Sequence, residues 1–479
     1  MTLKLYNTYS RQVEPLVPSN SDGVVRMYCC GPTVYNYAHI GNLRTYIFED
    51  VLRKTIKRAG FPLRHAMNIT DVGHLTSDAD EGDDKMVLAA EKEHKTVMDI
   101  ARKYEDTFFK HTQALNIDRP DIVCRATEHV QDMIKFVEEL ERKGYAYFSN
   151  GNVYFDTSKF PAYGSLSGQK RDDLKHGARV ETDENKRNES DFVLWFTSSK
   201  FKNQILQWDT KWGRGYPGWH IECSTMSVKH LGPHLDIHCG GIDHVAVHHE
   251  NEIAQSEAYL GHKWCNCWLH GEFLQMKNDE KMSKSKGNFI TLDTLVEKGY
   301  KPEAYRYLCL TSHYRSSLVF SYENLDAAAA ALKNLYNKYL EFKAAGAVPV
   351  SAEQEKTFDS YTEQFNAFLF DDLKTPQALA LVWTVIKDKD LPAVLKVRFM
   401  ESADEVLGLG LAKVKPEAEQ PLELSPEIQA KLEERKQARV NKDWAKSDAI
   451  RDELAAQGII VKDLPGNAYE VKPAGRSAE

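Results

Sequence analysis

Val24-Val25-Arg26-Met27-Tyr28-Cys29-Cys30 reads as a short buried strand, and the turn signal Gly31-Pro32 closes it. Gly41-Asn42 then opens an amphipathic pattern. Leu43, Ile47 and Val51 recur four apart, with Arg44, Arg53, Lys54 and Lys57 on other faces. The spacing predicts a helix with Asn42 as its N-cap, since a side-chain oxygen there accepts from the first free backbone amides. Gly60 ends that helix, and Leu63 to Ile69 reads as a second strand. Strand, glycine turn, helix, strand is the opening of a doubly wound, Rossmann-like α/β fold.

Helical patterns occupy roughly 83–116 and 127–143. From about 145 to 215 the text changes to short strands rich in Asp, Lys, Ser and Gly, with Trp195, Trp208 and Trp212, as expected of an insertion between two halves of a fold. Nucleotide-fold character resumes at Leu235-Asp236-Ile237-His238 and Gly240-Gly241. A helix is expected over 247–260 and strand over 264–276. Residues 323–411 are almost all helical in pattern, with Leu325, Leu332, Leu335, Tyr339 and Phe342 on one apolar face. A Pro/Glu-rich linker over 413–426 precedes a last compact unit. The expected segments are therefore 1–125, 126–217, 218–322, 323–412 and 426–479.

At 479 residues, several packed units are expected. No apolar run reaches the ~20 residues of a membrane helix, and Met1 to Thr8 lacks the layout of a signal peptide, so a cytosolic protein is expected. Eight cysteines in so long a chain point to core residues, metal ligands or thiols rather than a disulfide framework. A formal charge of −8 excludes a general polyanion-coating protein while leaving room for a local basic face.

Two motifs bear on phosphate chemistry. Ala38-His39-Ile40-Gly41-Asn42 stands at a strand-to-helix turn, where free amides and the macrodipole favour negative charge. Alone, one histidine before a helix is more often a capping or surface residue. Lys281-Met282-Ser283-Lys284-Ser285-Lys286-Gly287-Asn288 is alone a solvated basic loop, or else a clamp that stabilises charge developing on a phosphate. A third set suggests a metal. His248 and Glu252, four apart on a helix, share a face. Cys29 and Cys30 end a strand on opposite faces, so at most one of them serves as a ligand.

Together, the His39 and Lys281 segments resemble the HIGH and KMSKS signatures of class I aminoacyl-tRNA synthetases. Residues 27–35, Gly218-Trp219-His220-Ile221-Glu222-Cys223-Ser224 and His248-His249-Glu250-Asn251-Glu252 closely resemble three segments of cysteinyl-tRNA synthetases. The resemblance runs from Leu3 to about Val471. It implies a class I doubly wound catalytic domain with an insertion, a helical bundle and a small C-terminal α/β anticodon-binding domain. It implies one zinc ion on Cys30, Cys223, His248 and Glu252 at the floor of the amino-acid pocket. Cysteine and serine differ too little for a steric pocket to separate, and a soft metal prefers the thiolate. It further implies His39, Asn42, Lys281 and Lys284 in catalysis. ATP, with Mg2+, would lie against His39, Gly41, His238, Gly240, Gly241, Asp243 and Lys284, and cysteine against Gly31, Thr70 and Trp219. The implied partners are L-cysteine, ATP and tRNA(Cys), and a monomer is expected.

The chain departs from the family pattern at Asn42 for the second HIGH histidine, Cys239 for a common glycine, and Val245-Ala246-Val247 before the paired histidines. Cys265 and Cys267 read as core. In the last unit, a helix over 433–457 with Arg435, Lys436, Arg439, Lys442, Lys446 and Trp444 would read single-stranded bases. Rival readings are a cysteine ligase acting on an amino sugar, an inactive RNA-binding paralogue and, least favoured, a zinc hydrolase.

Overall fold

The computed structural model describes residues 1–72, 89–90, 93, 95–168, 185–197, 205–277, 289–346, 348–416, 425–463 and 469–473. They form two compact units, Met1–Val414 and Lys415–Glu479.

The first unit is built on a five-stranded parallel sheet: β1 Val25–Cys29, β2 Leu63–Ile69, β3 Ile122–Arg125, β4 Leu235–Gly241 and β5 Cys265–Gly271, in the order β5-β4-β1-β2-β3. From β1 the sheet grows one way through β2 and β3, and the other way through β4 and β5. The carboxyl ends of β1 and β4 therefore flank a switch point, where ligands bind in open α/β sheets. Alternation along β1 sends Met27 and Cys29 into one core and Tyr28 and Cys30 into the other, so both faces are buried.

Helix α1, Ile40–Arg58, covers one face and buries Leu43, Ile47 and Val51, with its end turned by Gly60 at φ 88°. Helices α2, Trp219–Leu231, and α3, His248–Leu260, belong to the other core. Between the two halves lies an antiparallel sheet of Ala146–Ser149, Asn152–Phe155, Phe192–Phe196, Gly213–Pro217 and Trp208–Thr210. The expected strand over 264–276 is two strands in different sheets: Leu274–Met276 leaves β5 and pairs with Leu318–Phe320.

Four helices, Tyr322–Ala344, Ala352–Phe370, Thr375–Lys387 and Ala393–Leu407, share one apolar core with α1. A fully buried ion pair fastens the end of the last of these to α1 through Arg306, on the helix Pro302–Leu310. Arg306 donates to Asp50 of α1 at 2.6 Å, to the Leu407 carbonyl at 2.6 Å and to the Leu115 carbonyl at 2.9 Å. Burial opposes ionisation of Asp50, but Arg306 and Lys54 outweigh it and hold its carboxyl below the usual range.

The second unit packs Leu432, Ile450, Leu454, Ile459 and Val461 between two helices and an antiparallel hairpin, Ile459–Asp463 with Tyr469–Pro473. The single helix expected over 433–457 is two, Pro426–Val440 and Trp444–Ala456. Lys442 takes a left-handed φ of 58°, and Asp443 caps the second helix by accepting from the Lys446 amide. Arg435 is buried and, like Arg439, paired with Asp463, which subtracts both from the expected basic face.

Arg306→Met is expected to cost about 3–5 kcal/mol at neutral pH by leaving the Asp50 charge buried and unpaired. Because the folded pKa of Asp50 is depressed, the pair's contribution is complete above the ordinary carboxyl range, about pH 4, and is lost as pH falls through the lower folded value. Denaturant unfolding of both proteins along a pH series should show the gap closing in that window.

Candidate active site

Helix α1 begins one residue after His39, and the cap differs from the expectation. His39 is the N-cap and Asn42 lies at the third helical position. The two side chains act reciprocally: His39 Nδ1 accepts from the Asn42 amide at 3.1 Å, and Asn42 Oδ1 accepts from the His39 amide at 3.2 Å. This capping box satisfies two terminal donors at once, which explains why an amide serves where the resemblance has a second histidine. Since Nδ1 accepts, the neutral His39 ring carries its proton on Nε2.

A cleft of about 300 Å³ opens at the switch point. Of the residues expected there, Cys30, Gly31, His39, Asn42, Thr70, Trp219, Cys223, Gly241, Asp243 and His248 line it. Gly41, His238, Gly240 and Glu252 are not among the residues that line it. His238, expected beside adenosine, is fully buried, stacks on Trp268 with ring centres 4.6 Å apart, and meets Glu252 Oε2 at 2.9 Å. It is held as a partner of the carboxylate. Lys281 and Lys284 lie outside the described residues. The chain just after them is anchored at the α1 turn, where the Ile40 amide donates to the Ile290 carbonyl at 2.9 Å. Cys239 is packed in the core opposite Cys29 rather than lining the cleft. Cys265 is buried and Cys267 half-buried.

The ligand atoms of Cys30, Cys223, His248 and Glu252 lie within 4.8 Å of one another, a spacing that suits a single metal ion. Cys30, His238, His249 and Glu252 form a second such group. Only the first contributes Cys223 and His248 to the wall of the cleft. Glu252 is gripped from two sides, His248 Nε2 meeting Oε1 at 3.0 Å and His238 Nε2 meeting Oε2. The other nitrogen of His248 meets His220 Nδ1 at 2.9 Å, and its ring lies 4.3 Å from Trp219. Partners of this kind orient metal ligands.

Burial disfavours charge throughout the cluster, yet its members offset that cost mutually. Burial would strip the proton from His248, but Glu252 and Cys223 hold its pKa up to about 10. Burial opposes ionisation of Cys223, but Cys30 and His248 bring its thiol down to about 6. Glu252 falls to about 2 because His238 and His248 outweigh its burial. Cys30, pushed well up by burial and by the Cys223 thiolate, keeps its proton.

Sequence reading missed Asn68, Thr45, Tyr37, His244 and Phe289, which also line the cleft. Asn68 left a signal: it is a polar residue in an otherwise apolar buried strand end, two residues from Thr70 and so on the same face.

A parallel sheet whose switch point opens into such a cleft, followed by a helical bundle, is the architecture of class I aminoacyl-tRNA synthetases. Among solved structures, this chain resembles Mycobacterium tuberculosis methionyl-tRNA synthetase bound by methionyl-adenylate (TM-score 0.55, 16% identity, 80% of this chain and 90% of that one). It also resembles the ternary complex of Agrobacterium radiobacter K84 agnB2 LeuRS with tRNA and LeuAMS (TM-score 0.57, 11% identity, 82% and 84%). Residues 16–330 match the model of the tRNA synthetases class I (C) catalytic domain, and 422–469 that of the cysteinyl-tRNA ligase anticodon binding domain. Cysteine–tRNA ligase of Treponema denticola is 47% identical across 97% of this chain and 99% of its own length. Cysteine–tRNA ligase 1 of Burkholderia lata is 48% identical across 97% and 96%. The chain belongs to the cysteine–tRNA ligase family.

The cleft depends on a close approach at Gly31, where an added Cβ would stand 1.7 Å from the Asn68 carbonyl oxygen. Gly31→Ala should force β1 and β2 apart at their ends and cost about 1–3 kcal/mol, read as a lowered denaturant midpoint. An unchanged midpoint would mean the strand ends are not packed this closely.

Proposed function

We propose that this chain activates L-cysteine with ATP and transfers it to the terminal ribose of tRNA(Cys), with one zinc ion held by Cys30, Cys223, His248 and Glu252. The observation that carries the reading is the thiolate–imidazole–carboxylate cluster set in the wall of a cleft whose other wall is the α1 N-terminus with His39. When bound there, zinc would take the substrate sulfur as thiolate and so favour cysteine over serine. His39 and the amides of α1 bind the phosphates, with Lys281 and Lys284 adding positive charge as the cysteine carboxylate attacks the α-phosphate. Asp243, on the cleft wall, accepts from a ribose hydroxyl, and Trp219 covers the amino acid. The adenylate is then opened by the 2′-OH of the tRNA. No protein nucleophile is needed, since positioning and electrostatics carry the rate. We assign residues 1–125 and 218–322 to the catalytic halves, 126–217 to the insertion, 323–412 to the bundle and 426–479 to anticodon reading. Trp444, 56% exposed, offers a stacking surface in that last unit.

Cysteine-dependent ATP–pyrophosphate exchange, with serine alongside and zinc determined on the same sample, tests the reading. Exchange with cysteine alone and about one zinc per chain are expected. Cys223→Ser should lower zinc content and exchange together, by more than the ~10–100-fold typical of a lost supporting partner. Full activity without zinc would refute the metal as selector.

The charge arrangement predicts the protons released on zinc loading. His248 and Cys30 enter protonated and leave deprotonated, whereas Cys223 is already ionised above about pH 6. Release should therefore stay near ~2 protons up to pH 9, where ordinary cysteines and histidine would release only about half a proton. Release should rise, and affinity fall, below pH 6. Calorimetry in buffers of different ionisation enthalpy reads the number.

A further inference from the structure

Arg44 stands one turn into α1 and is buried, with no ion-pair partner among the described residues. Four main-chain carbonyls meet its guanidinium group instead. Nη1 donates to those of Glu272, at 2.8 Å, and Phe273, while Nη2 donates to those of His313, at 3.4 Å, and Ser316. Covalent structure fixes the direction of every bond, because a guanidinium only donates and a carbonyl only accepts.

A buried cation is costly unless it is hydrogen-bonded, and an apolar side chain would fill the same space at less cost. What arginine adds is a planar fork that reaches two separate segments at once. Those segments run together into a parallel strand pair. The Glu272 amide donates to the Tyr314 carbonyl at 2.8 Å, and Leu274–Met276 then pairs with Leu318–Phe320. One turn further along α1, Phe48 stacks on Tyr314 with ring centres 4.6 Å apart. Helix and strand pair are therefore joined by a polar clamp and an aromatic one, side by side.

Strand Leu274–Met276 leads in sequence to the segment with Lys281 and Lys284, and the chain returns at Phe289. Phe289 lines the cleft and lies edge to face with His39, ring centres 5.6 Å apart. The Ile40 amide on the Ile290 carbonyl fixes that return to the start of α1. Arg44 fixes the departure to the same helix one turn later.

We infer that Arg44 is a positioning residue for amino-acid activation: it sets the strand from which the lysine segment departs against the helix whose first turn faces the phosphates. This rests on the proposed role of Lys281 and Lys284 at the phosphates. A displacement of about 1 Å in such groups can cost ~100-fold in rate. The Cys223 and His248 wall belongs to α2 and α3 in the other core, which Arg44 does not touch, so binding of the amino acid is spared.

The test is ATP–pyrophosphate exchange by the full-length, zinc-loaded chain, with cysteine and ATP varied separately and the denaturant midpoint measured for every variant. Arg44→Met loses the fork and should lower kcat by about 100-fold. Zinc content and KM for cysteine should change little, as when an interaction made only in the transition state is removed. Arg44→Lys keeps the charge but cannot span both segments. It should be slow in the same way, and it carries the test if Arg44→Met does not fold. In a Lys284→Gln background either substitution should cost far less than in the wild type, because residues that act through one another do not add. Three results would overturn the role of Arg44 while leaving the proposed function standing: a full rate in Arg44→Lys, an undiminished cost in the Lys284→Gln background, or a rise in KM for cysteine that matches the fall in kcat. Absence of cysteine-dependent exchange in the wild type would instead overturn the proposed function, and the role of Arg44 with it.

Discussion

At the carboxyl end of β1 the chain runs against the backbone of β2 so closely that residue 31 has no room for a side chain. This contact sets the geometry on both sides of it. Just before it, strand alternation turns Cys30 into the core shared with α2 and α3, where Cys223, His248 and Glu252 wait, while Cys29 faces the core of α1. Just after it, residues 32–34 are stitched to Thr70, and the path leads on to the His39 cap of α1. Both the metal-ligating cluster and the phosphate-facing helix end are thus referenced to the same few ångströms of backbone.

The two walls of the cleft use buried charge differently. The cluster wall places one carboxylate, one imidazole and two thiols within one another's reach, so each ionised member offsets the burial of its neighbour. The helix wall uses backbone dipoles held in line by the His39–Asn42 box. What keeps the helix wall in position lies far from the cleft: Arg306 joins the middle of α1 to the ends of two other helices through a fully buried ion pair. The bundle therefore acts as a mounting for α1, with which it shares a core.

Much of this was legible in the sequence. The pattern Leu43, Ile47, Val51 located α1, and the parity of Cys29 and Cys30 limited the ligand to one of them, because both follow from local periodicity. Caps were read less well. Asn42 was expected as the cap because its residue type favours that position, but a capping box depends on which of two side chains reaches which amide, and here the preceding histidine supplies the cap. In the last unit, Asn441 and Asp443 are turn and cap residue types inside a run read as one helix, and the left-handed turn at Lys442 falls between them. The pairing of Arg435 with Asp463 joins residues 28 apart, beyond the reach of any local rule. His238 was placed beside adenosine by the family resemblance alone; its ring meets Glu252 and stacks on Trp268, contacts that no local pattern contains.

The sequence by itself determined which chemistries were available: thiols, imidazoles, a carboxylate, a helix start fit for phosphate, and the order of strands and helices that carries them. Those depend on side-chain type and on short-range periodicity, both of which a linear text contains. Only the tertiary structure decided which of these groups meet. Cys30 and Cys223 come together because α2 packs on the face of the sheet to which Cys30 turns, an outcome of long-range packing. Gly31, Asn68, Thr70 and Glu222, far apart in the chain, likewise meet in one hydrogen-bonded row only because their elements pack together.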